Sequence, residues 1–232
     1  MKLKNTLFVL FIAFLLQANQ LFAQNAVTQT KESQAKMTPQ SALQMLKDGN
    51  KRFHEGKMLH YDFGEQVITT SKGQYPYAIV LSCIDSRTST EIIFDQGIGD
   101  VFNARVAGNI VDEDILGSME YSCKVAGAKL ILVIGHSHCG AVKGACDNVK
   151  LGNLTALLTK IKPAVDAVKT EPKEDRSSKN HEFVEHVSAA NVLNTIKDIK
   201  SKSSILKEMS DKGEIMIVGA MYELDTGEVT FY

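Results

Sequence analysis

The chain has 232 residues, 44% of them hydrophobic and 23% charged, with a formal net charge of −1. That is enough apolar material for one substantial core, and no second domain is needed. A charge so near neutral gives no basic surface for nucleic acid or for an anionic membrane, so neither is expected as a partner.

Lys2 and Lys4 precede an apolar run from Leu7 to Leu16, followed by a polar patch and Leu21-Phe-Ala23. This predicts a secretory signal peptide over residues 1–23, cleaved after Ala23. A run of about ten residues is too short to cross a bilayer, so no stable membrane span is expected after cleavage. The mature protein is expected to be exported, to the periplasm of a Gram-negative cell and otherwise to the medium. Losing residues 1–23 removes two lysines and no acids, which leaves 24 basic against 27 acidic residues, a charge of −3. Residues 24–40 are rich in Thr, Gln, Ser and Lys and read as a flexible leader that orders only against a partner. A single domain is expected over 41–232.

Thr38-Pro39 starts a helix, with Thr38 as cap and Pro39 in the first turn. Ala42, Met45 and Leu46 supply its apolar face, and Gly49 is expected to weaken or end it. Residues 54–70 hold a loop and a short helix carrying Phe63 and Val67. Gly73-Gln-Tyr-Pro76 turns the chain into a strand from Tyr77 to Ser82. A short helix follows at Thr90 to Phe94, then a strand after Asp100. A crossover helix spans Asp114 to Ala126 and stops at Gly127. The apolar run Lys129 to Gly135 is the next strand. Residues 141–150 are small and polar, and residues 151–168 are helical with Pro163 as a boundary or kink. A solvated loop covers 170–180. Two helices divide near residues 200–203, and a buried strand over 214–222 leads through Asp225-Thr-Gly227 to a short tail. The succession strand, helix, strand predicts an α/β fold, a mainly parallel sheet flanked by helices with a helical arm at the N-terminus.

The chemistry sits where two strands end. Ala78-Ile-Val-Leu-Ser-Cys83-Ile-Asp85-Ser-Arg87 leaves its strand with a thiol, a carboxylate and a guanidinium at alternate positions, so that all three can face one side. Gly135-His136-Ser-His138-Cys139-Gly140 ends the other strand with imidazole and thiol. Cys83, His136 and Cys139 form a donor set suited to zinc, with a fourth position left open. Other readings remain. The four cysteines of an exported chain permit disulfides. Cys123 or Cys146 could complete a structural site, and Asp85 with Arg87 could be an ordinary ion pair bracing a loop.

Cys83-Ile-Asp85-Ser-Arg87 and His136-Ser-His-Cys139-Gly140 resemble the motifs of the beta-class carbonic anhydrases. Gly73-Gln74, the helix segment Ala42 to Phe53, Glu91 to Gly97 and Arg105-Val-Ala-Gly108-Asn109 match as well. The resemblance covers residues 41 to the last strand. It implies zinc-dependent reversible hydration of carbon dioxide to bicarbonate and a proton, by a zinc-bound hydroxide oriented by the dyad Asp85 and Arg87. It implies Cys83, His136 and Cys139 as zinc ligands, and substrate contacts from Gln74 and the backbone N–H of Gly140. It further implies a homodimer or dimer of dimers with clefts at the subunit interface. His54, His60 and His138 are candidates for relaying the proton, and Phe53, Phe94, Val106 and Tyr121 for an apolar wall. Relatives on this scaffold that hydrolyse carbon disulfide or carbonyl sulfide, and a zinc-binding protein without turnover, are the alternatives.

Overall fold

The computed structural model describes residues 25–232, so the expected signal peptide lies outside the described residues. Strands β1 (Ala78–Ser82) and β3 (Leu130–His136) are buried at every position. That is what uninterrupted apolar runs require of a strand covered on both faces. The two pair directly and in parallel, with Leu81 opposite Val133. Strand β2 (Val101–Arg105) lies outside β1 and β4 (Met216–Tyr222) outside β3, both parallel. The expected tail contains strand β5 (Val229–Phe231), which returns antiparallel along β4 after a turn at Gly227, where φ is +79°. The sheet order is β2-β1-β3-β4-β5.

Alternate residues of β1 and β3 feed two cores. Ile79, Leu81, Ile131 and Val133 pack with Met119, Val192, Ile199 and Leu206. These last four come from helices α5 (Glu113–Glu120), α8 (His181–Lys202) and α9 (Ser204–Asp211). Ala78, Val80, Leu130 and Leu132 pack on the other face with Ala42, Leu46 and Ile93, from α2 (Pro39–His54) and α4 (Thr90–Ile93). A third cluster lies beyond the carboxyl ends of the strands. It joins Cys83 and Cys139 to Val142, Leu158, Ile161 and Val184.

Several local expectations change in three dimensions. Helix α1 (Lys31–Ala35) occupies the stretch read as a flexible leader, and Thr30 and Ser33 cap it reciprocally. The Gln34 side chain donates to Pro76 O and Ala126 O, both at 2.8 Å. Polar contacts of this kind hold a segment that has no apolar face to bury. Gly49 does not end α2: a Cβ there would lie 1.8 Å from Phe94 O, so the glycine serves close approach. The small residues after Cys139 form helix α6 (Gly140–Cys146), packed under α7 (Gly152–Ala167) where Gly144 meets Leu158. Pro163 sits inside α7 without ending it. Pro163 and Thr159 are both exposed, so water can take the carbonyl that the missing N–H leaves free. Helix α3 (Phe63–Thr70) carries Phe63 and Val67 as expected, but exposes both. Of the candidates for an apolar wall, Phe94 is buried in the second core and Tyr121 is exposed. Among the described residues no helix is long and apolar enough to cross a membrane.

Gly49→Ala is therefore expected to cost about 3 kcal/mol in a urea titration. Gly117→Ala, on the exposed side of α5 with nothing within 4 Å of the new Cβ, should instead stabilise by about 0.5–1 kcal/mol. Equal effects at the two sites would contradict the close approach at Gly49.

Candidate active site

Because β1 and β3 are neighbours, the residues that follow them emerge side by side. Cys83 comes directly after β1, His136 is the last residue of β3, and Cys139 is the residue from which α6 starts. Each is at most 4% exposed, and their donor atoms all lie within 4.8 Å of one another. The two sulfurs are 4.0 Å apart and every cysteine is free. That spacing is about double a disulfide bond. It is close to the roughly 3.8 Å that two thiolates adopt around a tetrahedral zinc.

The electrostatics point the same way. Two thiols this close cannot both ionise unaided. The hydrogen bond from Cys139 draws the Cys83 thiol well below its ordinary value, and the same bond pushes Cys139 up, with burial adding to the rise. For His136, burial opposes protonation, but the neighbouring Cys83 sulfur, the Ser137 carbonyl and the charge of Asp85 outweigh it and raise the pKa. Its Nδ1 lies 2.9 Å from Ser137 O, which fits an N–H donating there. Nε2 is then a buried lone pair without a hydrogen-bond partner among the described residues. A divalent cation would give Nε2 its partner and let both sulfurs ionise, so the donor set fits a metal such as zinc.

Asp85 and Arg87 meet as a fork. Arg87 Nε donates to Asp85 Oδ1 at 2.9 Å, Nη2 to Oδ2 at 2.8 Å, and the Arg87 backbone N–H to Oδ1 at 3.0 Å. The Arg87 hydrogen bonds hold the Asp85 carboxyl well below the usual carboxylate range. Its Oδ2 stands 3.9 Å from His136 Nε2, beside the metal cluster and outside it.

Sequence reasoning gave no role to the residues that hold this loop. Arg105 Nε donates to Cys83 O at 3.0 Å and Nη2 to Asp85 O at 2.6 Å. Thr88 Oγ1 donates to Asp85 O at 2.9 Å, and Gly108 N–H points at Cys83 Sγ, 3.4 Å away. The available signal was the family-like stretch Arg105-Val-Ala-Gly108-Asn109, which carries no role until the sheet places Arg105 at the end of β2 in register with Ser82, the last residue of β1. That register exists only in the folded sheet.

The other sequence candidates are dispersed. Gly140 begins α6 with open space beside it, free of any neighbour within 4 Å of a built Cβ. Gln74 is exposed and precedes β1, whereas Cys83 follows it. Five residues of strand, about 17 Å, separate the two, so Gln74 is not brought to the site of its own chain. His138 turns away from the metal cluster, towards Glu185 and Asp225. His54 lies against Thr226 O and His60 pairs with Asn25. Cys123 is buried in the first core, and Cys146 shares the third core with Cys83 and Cys139 without belonging to the three donors that lie within 4.8 Å of one another.

A mainly parallel α/β sheet with a buried Cys-His-Cys donor set suited to a cation at the carboxyl ends of its central strands is the class of protein that these features define. Residues 78–229 match the family described as carbonic anhydrase. Carbonic anhydrase 2 of Mycobacterium tuberculosis is 35% identical over 195 residues, which cover 82% of this chain and 90% of that protein. The carbonic anhydrase of Mycolicibacterium smegmatis is also 35% identical, over 192 residues, 82% of this chain and 92% of that protein. The solved structure of the beta-carbonic anhydrase CcaA superposes with a TM-score of 0.64 at 26% identity, covering 83% of this chain and 88% of that one. The chain belongs to the beta class of the carbonic anhydrase family and is an enzyme of that family.

His136→Ala and Cys139→Ser are each expected to lose bound metal when the purified protein is analysed by atomic emission, while Cys146→Ser keeps one metal per chain, about the wild-type content. Metal retained in His136→Ala would place the site elsewhere.

Proposed function

We propose that the protein catalyses the zinc-dependent, reversible hydration of carbon dioxide to bicarbonate and a proton. Cys83, His136 and Cys139 hold the zinc, and Asp85 with Arg87 orients the water that attacks. The observation that carries this reading is the fork of Arg87 on Asp85 beside the partnerless Nε2 of His136. When bound, zinc supplies a Lewis acid that brings the pKa of water towards about 7, which makes a nucleophile available at neutral pH.

The residues of the chain do the rest. Two thiolates and a neutral imidazole would hold a divalent cation with almost no net charge. Arg87 fills both lone-pair sites of Asp85 Oδ1, through Nε and its backbone N–H, and one site on Oδ2, so Oδ2 keeps a lone pair that can accept a hydrogen bond from the attacking water and aim it at carbon dioxide. The same fork holds Asp85 beside the three donors and out of their set. Arg105 and Thr88 fix the backbone on which both groups stand, so orientation is built before substrate arrives. Gly140 offers an N–H at the start of α6, next to Cys139, for an oxygen of bicarbonate. The proton released passes to buffer or to a histidine.

Gln74 is proposed to act on the site of a second copy, because its own site lies at the far end of β1. A homodimer, or a dimer of dimers, is supported by the free edge of β2 and by exposed Ile84, Ile92, Tyr121 and Val125. Export is proposed from the apolar leader of residues 1–23.

Stopped-flow hydration of carbon dioxide by the zinc-loaded protein tests the reading. Asp85→Asn is expected to lower kcat about 100-fold with zinc content unchanged, and a zinc-loaded wild type without turnover between about pH 6.5 and 9 would overturn the activity. Arg87→Met should impair turnover most at the acidic end, because Asp85, released from the fork, would be free to turn towards the donor set and would bind a cation there most readily where hydroxide is scarce. The fork also makes a stability claim with a definite sign. The folded pKa of Asp85 lies below its unfolded value of about 3.9. Its contribution is therefore present above that value and lost as pH falls through the folded pKa.

A further inference from the structure

The segment before α2 touches the body of the domain at the amino ends of the strands, opposite the metal cluster. Ala26 N–H donates to His60 O at 3.0 Å, and Gln29 N–H lies 3.4 Å from Asp100 Oδ1, just ahead of β2. Gln34 reaches furthest in. Both hydrogens of its Nε2 are used, one on Pro76 O ahead of β1 and one on Ala126 O ahead of β3, each at 2.8 Å. Two carbonyl acceptors settle which way the amide points, since only the NH2 end can donate. Gly127 follows with φ at +85°, and a Cβ there would come within 3.3 Å of Gln34 Oε1, so the chain passes close under the amide.

Pro76 is two residues from Gln74. Backbone hydrogen bonds anchor the loop on either side, from Gly73 N–H to Thr70 O and from Tyr77 N–H to Asp100 O. Among the described residues, the Gln34 bond to Pro76 O is the one hydrogen bond made by residues 74–76. The helix that delivers Gln34 buries none of its residues. Hydrogen bonds rather than apolar area therefore hold the segment down, and a change at Gln34 can loosen the loop while sparing both cores.

We infer that residues 25–36 form a strap whose Gln34 positions the Gly73 to Pro76 loop, and with it Gln74, for binding bicarbonate or carbon dioxide in the site of a second copy. Gln34 is a positioning residue: it touches no substrate and acts through the Pro76 carbonyl. The inference rests on the reading of Gln74 given above. Its physical content is that a side chain presented across an interface loses affinity when its loop samples more conformations, because ordering must then be supplied on binding. Affinity is affected, and the metal centre is not.

The test is hydration and dehydration kinetics on the zinc-loaded full chain, with amide hydrogen exchange over residues 71–77. Gln34→Met keeps the length and loses both donors. It is expected to raise KM about threefold to tenfold, the size of one lost hydrogen bond, with kcat within about twofold and faster exchange in the loop. Gln34→Arg, which keeps N–H donors, should restore KM. Gln74→Ala should raise KM as well, and Gln34→Met added to it should raise KM no further. Wild-type kinetics in Gln74→Ala would overturn the reading of Gln74 and the strap with it. A raised KM in Gln74→Ala beside unchanged KM and exchange in Gln34→Met would overturn the strap alone. So would a double variant whose losses multiply, because Gln34 would then act elsewhere.

Discussion

The parallel pairing of β1 with β3 is the constraint on which the rest depends. Parallel neighbours end on the same edge of a sheet, and a crossover through α5 makes two segments about 50 residues apart in sequence end together. A thiol after one strand and an imidazole at the end of the other then share a site by topology, before any local interaction is considered. Burial of both strands on both faces makes the register expensive to change, since a slip by one residue would exchange the two cores. The positions of Cys83 and His136 are therefore as rigid as the centre of the molecule.

On that frame the site sets unfavourable groups against one another. Two sulfurs at 4.0 Å and a buried, partnerless imidazole nitrogen would be a liability in an ordinary core. They become complementary when a cation completes them. The Asp85 and Arg87 fork works in the opposite sense: it satisfies a carboxylate that would otherwise be drawn to the same cation. Arg105 joins the two arrangements, since one guanidinium binds both the Cys83 and the Asp85 carbonyls and so ties the metal ligand to the group that orients water. The amino edge of the sheet has a comparable polar tie in Gln34, which links β1 and β3 at the end far from the chemistry.

What could be read from the linear chain follows from periodicity and local chemistry. The apolar runs of β1, β3 and β4 and the cap at Thr38 depend on neighbours within a few residues, and the elements appear where those signals lie. The spacing Cys83, Asp85, Arg87 was legible because a chain leaving a strand in extended form repeats every two residues. Strand β5, helix α6 and the docked α1 were not legible. Their residues are short, small or polar, and they hold only because β4, α7 and the amino ends of the strands offer surfaces to pair with. Gly49 was misread for the same reason: its purpose is the Phe94 carbonyl, a residue distant in sequence.

By itself, then, the sequence determined the donor types, their order along the chain and the strands that carry them, since these are matters of residue chemistry and short-range period. Only the tertiary structure decided that Cys83 and Cys139 lie at metal-ligand spacing rather than in a disulfide, and that Asp85 faces Arg87 instead of the cluster. It also decided that Arg105 and Gln34 are the side chains that hold the loops, and that Gln74 lies beyond reach of its own site. Each of these is a distance between segments far apart in sequence, and such distances are fixed by strand order and core packing rather than by any local pattern.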